Sequence, residues 1–129
     1  MNKAKYKIWT GGYMLKPEDY PLSFPFYVGA FDGKVYQGEL EKGEYSLTET
    51  SFLALPYIGL QDKNGKEIYE GDIIKKSSGA IGEVVYLKAT VGYKLYNNGQ
   101  VFDLFEADAR YLEIIGNIYE TPEILKDSK

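Results

Sequence analysis

Tyr57-Ile58-Gly59-Leu60-Gln61-Asp62-Lys63-Asn64-Gly65-Lys66-Glu67-Ile68-Tyr69-Glu70-Gly71-Asp72-Ile73-Ile74 strings short apolar runs and turn residues together at a spacing that suits strands. Asn64-Gly65 is the strongest hairpin signal in it. Both residue types tolerate the positive φ of a type I′ turn, so residues 61–63 are expected to pair with residues 66–68 across it. Gly71 then turns the chain into Ile73-Ile74, and Gly79-Ala80-Ile81-Gly82 turns it back into Glu83-Val84-Val85-Tyr86-Leu87. Strand, glycine turn and returning strand form the opening of many small SH3-like barrels, so residues 57–119 are expected to close into one.

The same signals recur on both sides. Tyr6-Lys7-Ile8-Trp9, Gly11-Gly12 and Tyr13-Met14-Leu15 read as a hairpin. Pro17, Pro21 and Pro25 remove amide donors over residues 16–25, which read as an irregular loop. Asp32-Gly33 and Lys42-Gly43 predict turns between strands near 26–31, 34–40 and 44–48. Phe52-Leu53-Ala54-Leu55 suits a buried strand or a short helical turn, because a continuous apolar run has no periodicity to separate the two. Asn97-Asn98-Gly99 predicts a hairpin between residues 91–96 and 101–105, and residues 104–110 could include a helical turn. In Leu112-Glu113-Ile114, alternation puts Leu112 and Ile114 on one face. Thr121 suits an N-cap, Pro122 the first helical position and Glu123 the positive end of the helix dipole, so a short tail helix follows. The expected fold is mainly β: an N-terminal antiparallel sheet subdomain (1–56) packed on a C-terminal SH3-like barrel with a tail helix (57–129), as one compact unit.

Composition agrees with that class and narrows the chemistry. Thirteen tyrosines, fourteen glycines and 16% aromatic residues in 129 residues are β-rich, turn-rich usage. The absence of cysteine excludes disulfides, thiolate nucleophiles and Cys-ligated metal, and is compatible with a reducing cytosol. The absence of histidine removes the usual neutral-pH proton relay and both Ser–His and Cys–His pairs. No apolar run follows the basic start and none approaches about 18 residues, so neither secretion nor membrane insertion is expected; the expected location is the cytoplasm. The net charge is −4, distributed unevenly: residues 1–16 carry four lysines and no acid, whereas residues 17–56 carry seven acids against Lys34 and Lys42. A negative total opposes a broad nucleic-acid footprint, since such affinity rests on cations displacing counterions.

The sharpest candidate site combines Lys75 and Lys76, just before the Gly79 turn, with Tyr69, Tyr86, Tyr93 and Tyr96 as stacking faces for a single strand of nucleic acid. Set against it, the glycines serve corners, the tyrosines fill or cap the sheet, and the lysines keep an edge strand soluble. Asp62, Glu67, Glu70 and Asp72 form the densest acidic cluster, yet no spacing matches a metal loop and Lys63 and Lys66 interleave, so a solvated, turn-forming surface is expected. Asp103, Glu106 and Asp108 suggest a cap or acidic patch, and Gly11-Gly12 lacks the lysine and helix of a phosphate loop. No catalytic residue, metal site or cofactor is expected.

The stretch 57–74, with Lys5-Tyr6-Lys7-Ile8-Trp9 before it and Ile115-Gly116-Asn117-Ile118-Tyr119-Glu120-Thr121-Pro122-Glu123-Ile124-Leu125 after it, resembles the YopX family of phage- and prophage-encoded proteins. Lys7 and Thr10 stand where that family's opening tends to carry arginine and aspartate around the tryptophan. The resemblance implies a two-part β protein with an SH3-like C-terminal part, homo-oligomers in some members, and no established biochemical function or catalytic residue to carry over. The expected function is therefore a non-enzymatic module that binds itself or an unknown host or phage protein. The alternative, from another class, is a single-stranded nucleic-acid binder using the barrel face.

Overall fold

The computed structural model describes residues 5–16, 26–29, 32–88, 92–104 and 111–127. The chain divides into two compact units, Met1–Pro56 and Tyr57–Lys129. Residues 17–25 of the expected loop over 16–25, and residues 105–110 of the possible helical turn over 104–110, lie outside the described residues.

The first unit is built on an antiparallel sheet with β1 (Tyr6–Trp9), β2 (Met14–Leu15), β3 (Phe26–Val28), β4 (Lys34–Glu41) and the first part of β5 (Glu44–Gln61), in the order β2-β1-β5-β4-β3. The β1–β2 turn closes on Thr10, whose hydroxyl accepts from the Tyr13 amide at 3.2 Å and whose own amide donates to the Tyr13 carbonyl at 3.1 Å. Lys42 (φ 52°) and Gly43 (φ 80°) both take positive φ and form the two-residue turn that pairs Glu41 with Glu44. Phe52-Leu53-Ala54-Leu55 is strand, because β5 is paired on one side by β1 and on the other by β4. This double pairing also carries β5 well beyond the expected 44–48. Pro56 is tolerated at the last position of the β1 pairing, where a ladder can lose a donor. Ile8, Val35 and Leu55 are buried, and the Phe26 and Phe52 rings tilt together at 5.6 Å.

In the second unit the end of β5 pairs with β6 (Glu67–Tyr69), through Tyr57↔Tyr69 and Gln61↔Glu67. β7 (Asp72–Lys76), β8 (Ile81–Leu87), β9 (Gly92–Asn97), β10 (Gln100–Asp103) and β11 (Leu112–Asn117) form an antiparallel sheet in the order β10-β9-β8-β7-β11. Ile68, Ile74, Val84, Leu95 and Leu112 are its core, with Ile114 packed against them on the same face as Leu112, as alternation requires.

The strands do not form the expected closed barrel. β10 and β11 are opposite edges with no ladder between them among the described residues, and β6 pairs with β5 instead of joining the five. The hairpin at Asn64-Gly65 also differs from expectation. Gly65 has φ 80°, but Asn64 is not among the positive-φ residues, so the two do not make a type I′ turn. The Gly65 amide donates to the Asp62 carbonyl at 3.0 Å and the Asp62 amide to the Lys66 carbonyl at 2.8 Å, the pattern of a three-residue loop ending in a left-handed glycine. Asp62 selects it: its Oδ1 accepts from the amides of Asn64 at 2.8 Å and Lys66 at 3.0 Å. The type I′ geometry appears instead at Asn98 (φ 49°) and Gly99 (φ 86°), between Asn97 and Gln100.

The tail helix α1 spans Glu123–Asp127. Its expected N-cap contact is absent among the described bonds: the Thr121 hydroxyl accepts from the Asn117 amide and donates to the Asn117 carbonyl, each at 3.1 Å. No described helix is long and apolar enough to cross a membrane.

Candidate functional site

Asp62 holds the loop that borders an open depression in the second unit. The residue is 5% exposed, and besides its two loop contacts its carboxylate accepts from the Ile114 amide of β11 at 3.1 Å. Burial opposes its charge, but donations from Ile114, Lys66 and Asn64 outweigh burial and hold its pKa below the usual aspartate value. The loop is thereby tied to β11, and the Lys63 amide donates to the Leu112 carbonyl at 2.8 Å. β7 and β11 pair with Lys75 opposite Glu113 and Lys76 opposite Leu112, and beyond them the Ser77 amide donates to the Tyr111 carbonyl at 3.0 Å.

These bonds gather Lys63, Lys75, Lys76, Ser77, Tyr111 and Glu113 around an open cavity of about 250 Å³. Lys63 Nζ approaches Glu113 at 3.7 Å, an exposed and long ion pair. Lys76 Nζ donates to the Asp103 carbonyl at 3.1 Å. Lys75 is exposed and forms no ion pair among the described residues, and Tyr111 is 47% exposed.

Two of the six residues singled out from sequence, Lys75 and Lys76, line this cavity. The tyrosines do not join them. Tyr69 is 3% exposed and packs at 5.7 Å on Tyr57, so it presents no stacking face. Tyr86 and Tyr93 are cross-strand partners in an edge-on pair at 5.3 Å. They share a face with Val84 and Leu95, the core side, whereas Tyr96, opposite Glu83, lies on the other side with Lys75. Sequence reading missed Lys63 as a site residue and did not consider Tyr111. The β7–β11 register joins positions from 36 to 45 apart, and nothing local announces it.

Of the four acidic residues of the stretch, Asp62, Glu70 and Asp72 sit at turns as expected, Glu67 lies in β6, and two of the four are not solvated. Asp72 is 3% exposed, and its Oδ2 accepts from the Tyr69 amide at 2.8 Å, so Asp62 and Asp72 both serve backbone amides from buried positions. Glu70 and Glu83 converge differently. The Gly71 amide donates to the Val84 carbonyl at 3.0 Å, which lays the turn on β8, and the Ile118 amide donates to the Gly71 carbonyl at 2.9 Å. Burial raises the Glu70 pKa; burial and then the Glu70 charge raise that of Glu83. Burial followed by both carboxylates raises the Tyr119 phenol. Asp103 is held low by a 2.7 Å bond from Lys94, while Glu106 and Asp108 lie outside the described residues. No described cluster has three carboxylates placed to hold a metal ion.

The N-terminal sheet has a partly exposed apolar face. Register places Met14, Trp9 and Leu53 in one row across β2, β1 and β5, and Tyr36 beside Tyr27 on β4 and β3. The β4–β5 register shifts between Lys34, opposite Leu53, and Tyr36, but the two flank buried Val35 on β4 and so lie on the same side. Leu53 is 48% and Tyr27 45% exposed. The face carries its own compensated charge: Lys34 Nζ lies 3.4 Å from Glu49.

The chain is similar to protein EF1440 from Enterococcus faecalis, whose crystal structure it matches with a TM-score of 0.54 at 21% identity, over 97% of this chain and 99% of that one. At that identity the likeness concerns the fold alone. A comparison with curated proteins finds no match. The model of the YopX protein family matches residues 30–126, three quarters of the length and including the whole of the Asp62 loop, β7 and β11 that build the cavity, and the chain belongs to that family.

Proposed function

We propose that the chain is a phage- or prophage-derived, non-enzymatic binding module that works in the bacterial cytoplasm and assembles with further copies of itself through the partly exposed face of its N-terminal sheet. The observation that carries this reading is the double row of Met14, Trp9 and Leu53 beside Tyr36 and Tyr27 on one side of that sheet, with Leu53 and Tyr27 about half exposed. A contiguous apolar patch in water is costly, and such patches mark interfaces. A second copy is the fitting occupant because the charges among these residues are already compensated within the face, by Lys34 with Glu49. A two-fold axis would set the same patch against itself. In the second unit, β7 to β10 run as a meander and β11 returns beside β7, which we read as an open SH3-like arrangement that supplies a scaffold.

The non-enzymatic part draws on the absence of histidine and cysteine and on the use of Asp62 and Asp72 as backbone acceptors. Size exclusion coupled to light scattering, over a concentration series, is expected to show a mass above that of one chain. Leu53→Asp, with an unchanged circular dichroism spectrum, is expected to shift the population toward the monomer. A monomer at every concentration, or an oligomer indifferent to Leu53→Asp and Tyr27→Asp alike, would sink the reading.

A further inference from the structure

We propose that the distal ribbon of β4 and β5, residues 38–47, is an arm that closes over the Met14–Trp9–Leu53 row of a second copy of this chain, so that two copies clasp each other reciprocally. The inference rests on the self-association proposed above and names its contact. β3 pairs with β4 only as far as Gln37, and β1 pairs with β5 only at residues 53–56. Among the described residues no third strand therefore flanks the ribbon between Gly38↔Leu47 and Glu41↔Glu44. A two-stranded hairpin by itself is marginal in water and becomes stable when a face of it is packed. The sequence provides such a face. Gly38-Glu39-Leu40-Glu41 and Glu44-Tyr45-Ser46-Leu47 alternate, and the register pairs Gly38 with Leu47 and Leu40 with Tyr45, but Glu39 with Ser46 and Glu41 with Glu44. Apolar and polar positions thus fall in separate rows. Leu47, in the apolar set, is 55% exposed, and Glu39 and Ser46, in the polar set, are exposed as well.

Position selects the occupant. Leu47, Glu49 and Leu53 stand on one side of β5, with Glu49 opposite Tyr36 and Leu53 opposite Lys34. Six residues of strand separate Leu47 from Leu53, on the order of 20 Å, so the arm cannot reach the row of its own chain. A two-fold axis over the Tyr27–Tyr36–Glu49 row, which lies between them, brings the arm of each copy onto the row of the other. Charge agrees with this occupant. Residues 38–49 carry Glu39, Glu41, Glu44 and Glu49 against Lys42, whereas residues 5–16, which contain the β1–β2 hairpin, carry Lys5, Lys7 and Lys16 and no acid. The two segments stand apart in one chain and meet in the pair, within the roughly 8–10 Å over which such charges act. Near the axis, Glu49 is already compensated by Lys34 at 3.4 Å. A net-acidic ribbon also suits a protein surface better than nucleic acid.

The chain has no cysteine, so introduced thiols report the contact directly. Full-length Leu47→Cys and Met14→Cys chains, one carrying a mass tag, are treated with oxidised glutathione singly, after mixing, and as the double variant, at a concentration where light scattering finds the wild type oligomeric. The expected result is a 47–14 disulfide between copies that forms about tenfold faster than either symmetric one. Two further variants weaken the arm in different ways: Leu47→Asp keeps the ribbon, and a shortened chain has Asn-Gly in place of residues 39–46. Each is expected to raise the dissociation constant about tenfold or more, with the amide shifts of the second unit unchanged. Added salt is expected to weaken the wild-type pair, as is Glu39→Lys with Glu44→Lys at low salt. A dominant 47–47 disulfide, a 47–14 bond within one chain, or an oligomer indifferent to both arm variants would overturn the proposal. If that oligomer still dissociates on Leu53→Asp, self-association through the sheet face stands without the arm. A monomer at every concentration, which assigns the arm to a different partner, sinks both.

Discussion

Asp62→Asn tests how the Asp62 loop is held to β11. In the native chain Oδ1 serves the amides of Asn64 and Lys66, and Oδ2 serves the amide of Ile114. Asparagine keeps one acceptor oxygen. If it stays with the loop, the side-chain NH₂ is turned toward the Ile114 amide, donor against donor. Asn64 and Lys66 are exposed, so water can take over their amides, whereas Ile114 is half-buried. An unsatisfied buried donor costs roughly 1–3 kcal/mol, and losing charge from the two loop bonds adds about 1 kcal/mol, for a total near 3 kcal/mol. Against a domain stability of about 5–15 kcal/mol that is a large fraction, and it corresponds to a fall in Tm on the order of 10 °C.

The pH dependence follows from the lowered pKa of Asp62. A carboxylate whose folded pKa lies below its unfolded value of about 3.9 stabilises the native state fully above that value. The contribution is lost as pH falls through the folded pKa. Chemical denaturation of wild type and Asp62→Asn from pH 7 downward should therefore show the difference constant above about pH 5 and shrinking below pH 4. A variant within about 0.5 kcal/mol of wild type at pH 7, or a difference that does not shrink in acid, would refute the reasoning.

The opposite sign is expected at Glu83, whose pKa is raised by burial and by Glu70. The native state binds more protons than the unfolded chain between the two pKa values, so ionisation lowers stability as pH rises through the folded pKa. Glu83→Gln is expected to raise Tm at pH 7 and to flatten its rise on acidification toward the ordinary glutamate range; a lower Tm at pH 7 counts against this. Gly71→Ala should cost more than Gly65→Ala. Both sites have positive φ, worth about 1 kcal/mol, but a Cβ at Gly71 would meet Tyr119 Cε2 at 2.8 Å whereas one at Gly65 meets nothing within 4 Å. Equal losses in a thermal melt would show that Tyr119 moves aside without cost.

Much of the fold is written in local chemistry. Asn98-Gly99 turns where both residue types tolerate positive φ, Gly43 supplies it at the other hairpin with Lys42 drawn along, and Leu112 and Ile114 share a face because strand side chains alternate. These are properties of a few neighbouring residues, so one sequence suffices to read them, and the same holds for the exclusion of histidine and cysteine chemistry. Other outcomes depended on partners distant in sequence. The strand character of Phe52-Leu53-Ala54-Leu55 came from β1 and β4 pairing on either side, and β6 pairs with the end of β5 and not with the five-stranded sheet, which stays open among the described residues. At Asn64-Gly65 the local preference yielded to Asp62, whose carboxylate is also anchored 52 residues away at Ile114. The candidate site shows the same division. Lys75 and Lys76 are adjacent and visible, but only the β7–β11 register brings Tyr111 near them and only the tie of the Asp62 loop to β11 brings Lys63, while separate pairings bury Tyr69 and hold Tyr86 and Tyr93 against each other. A long-range ladder is specified by the summed fit of two strands and the core beneath them, and that sum is evaluated only when the chain folds.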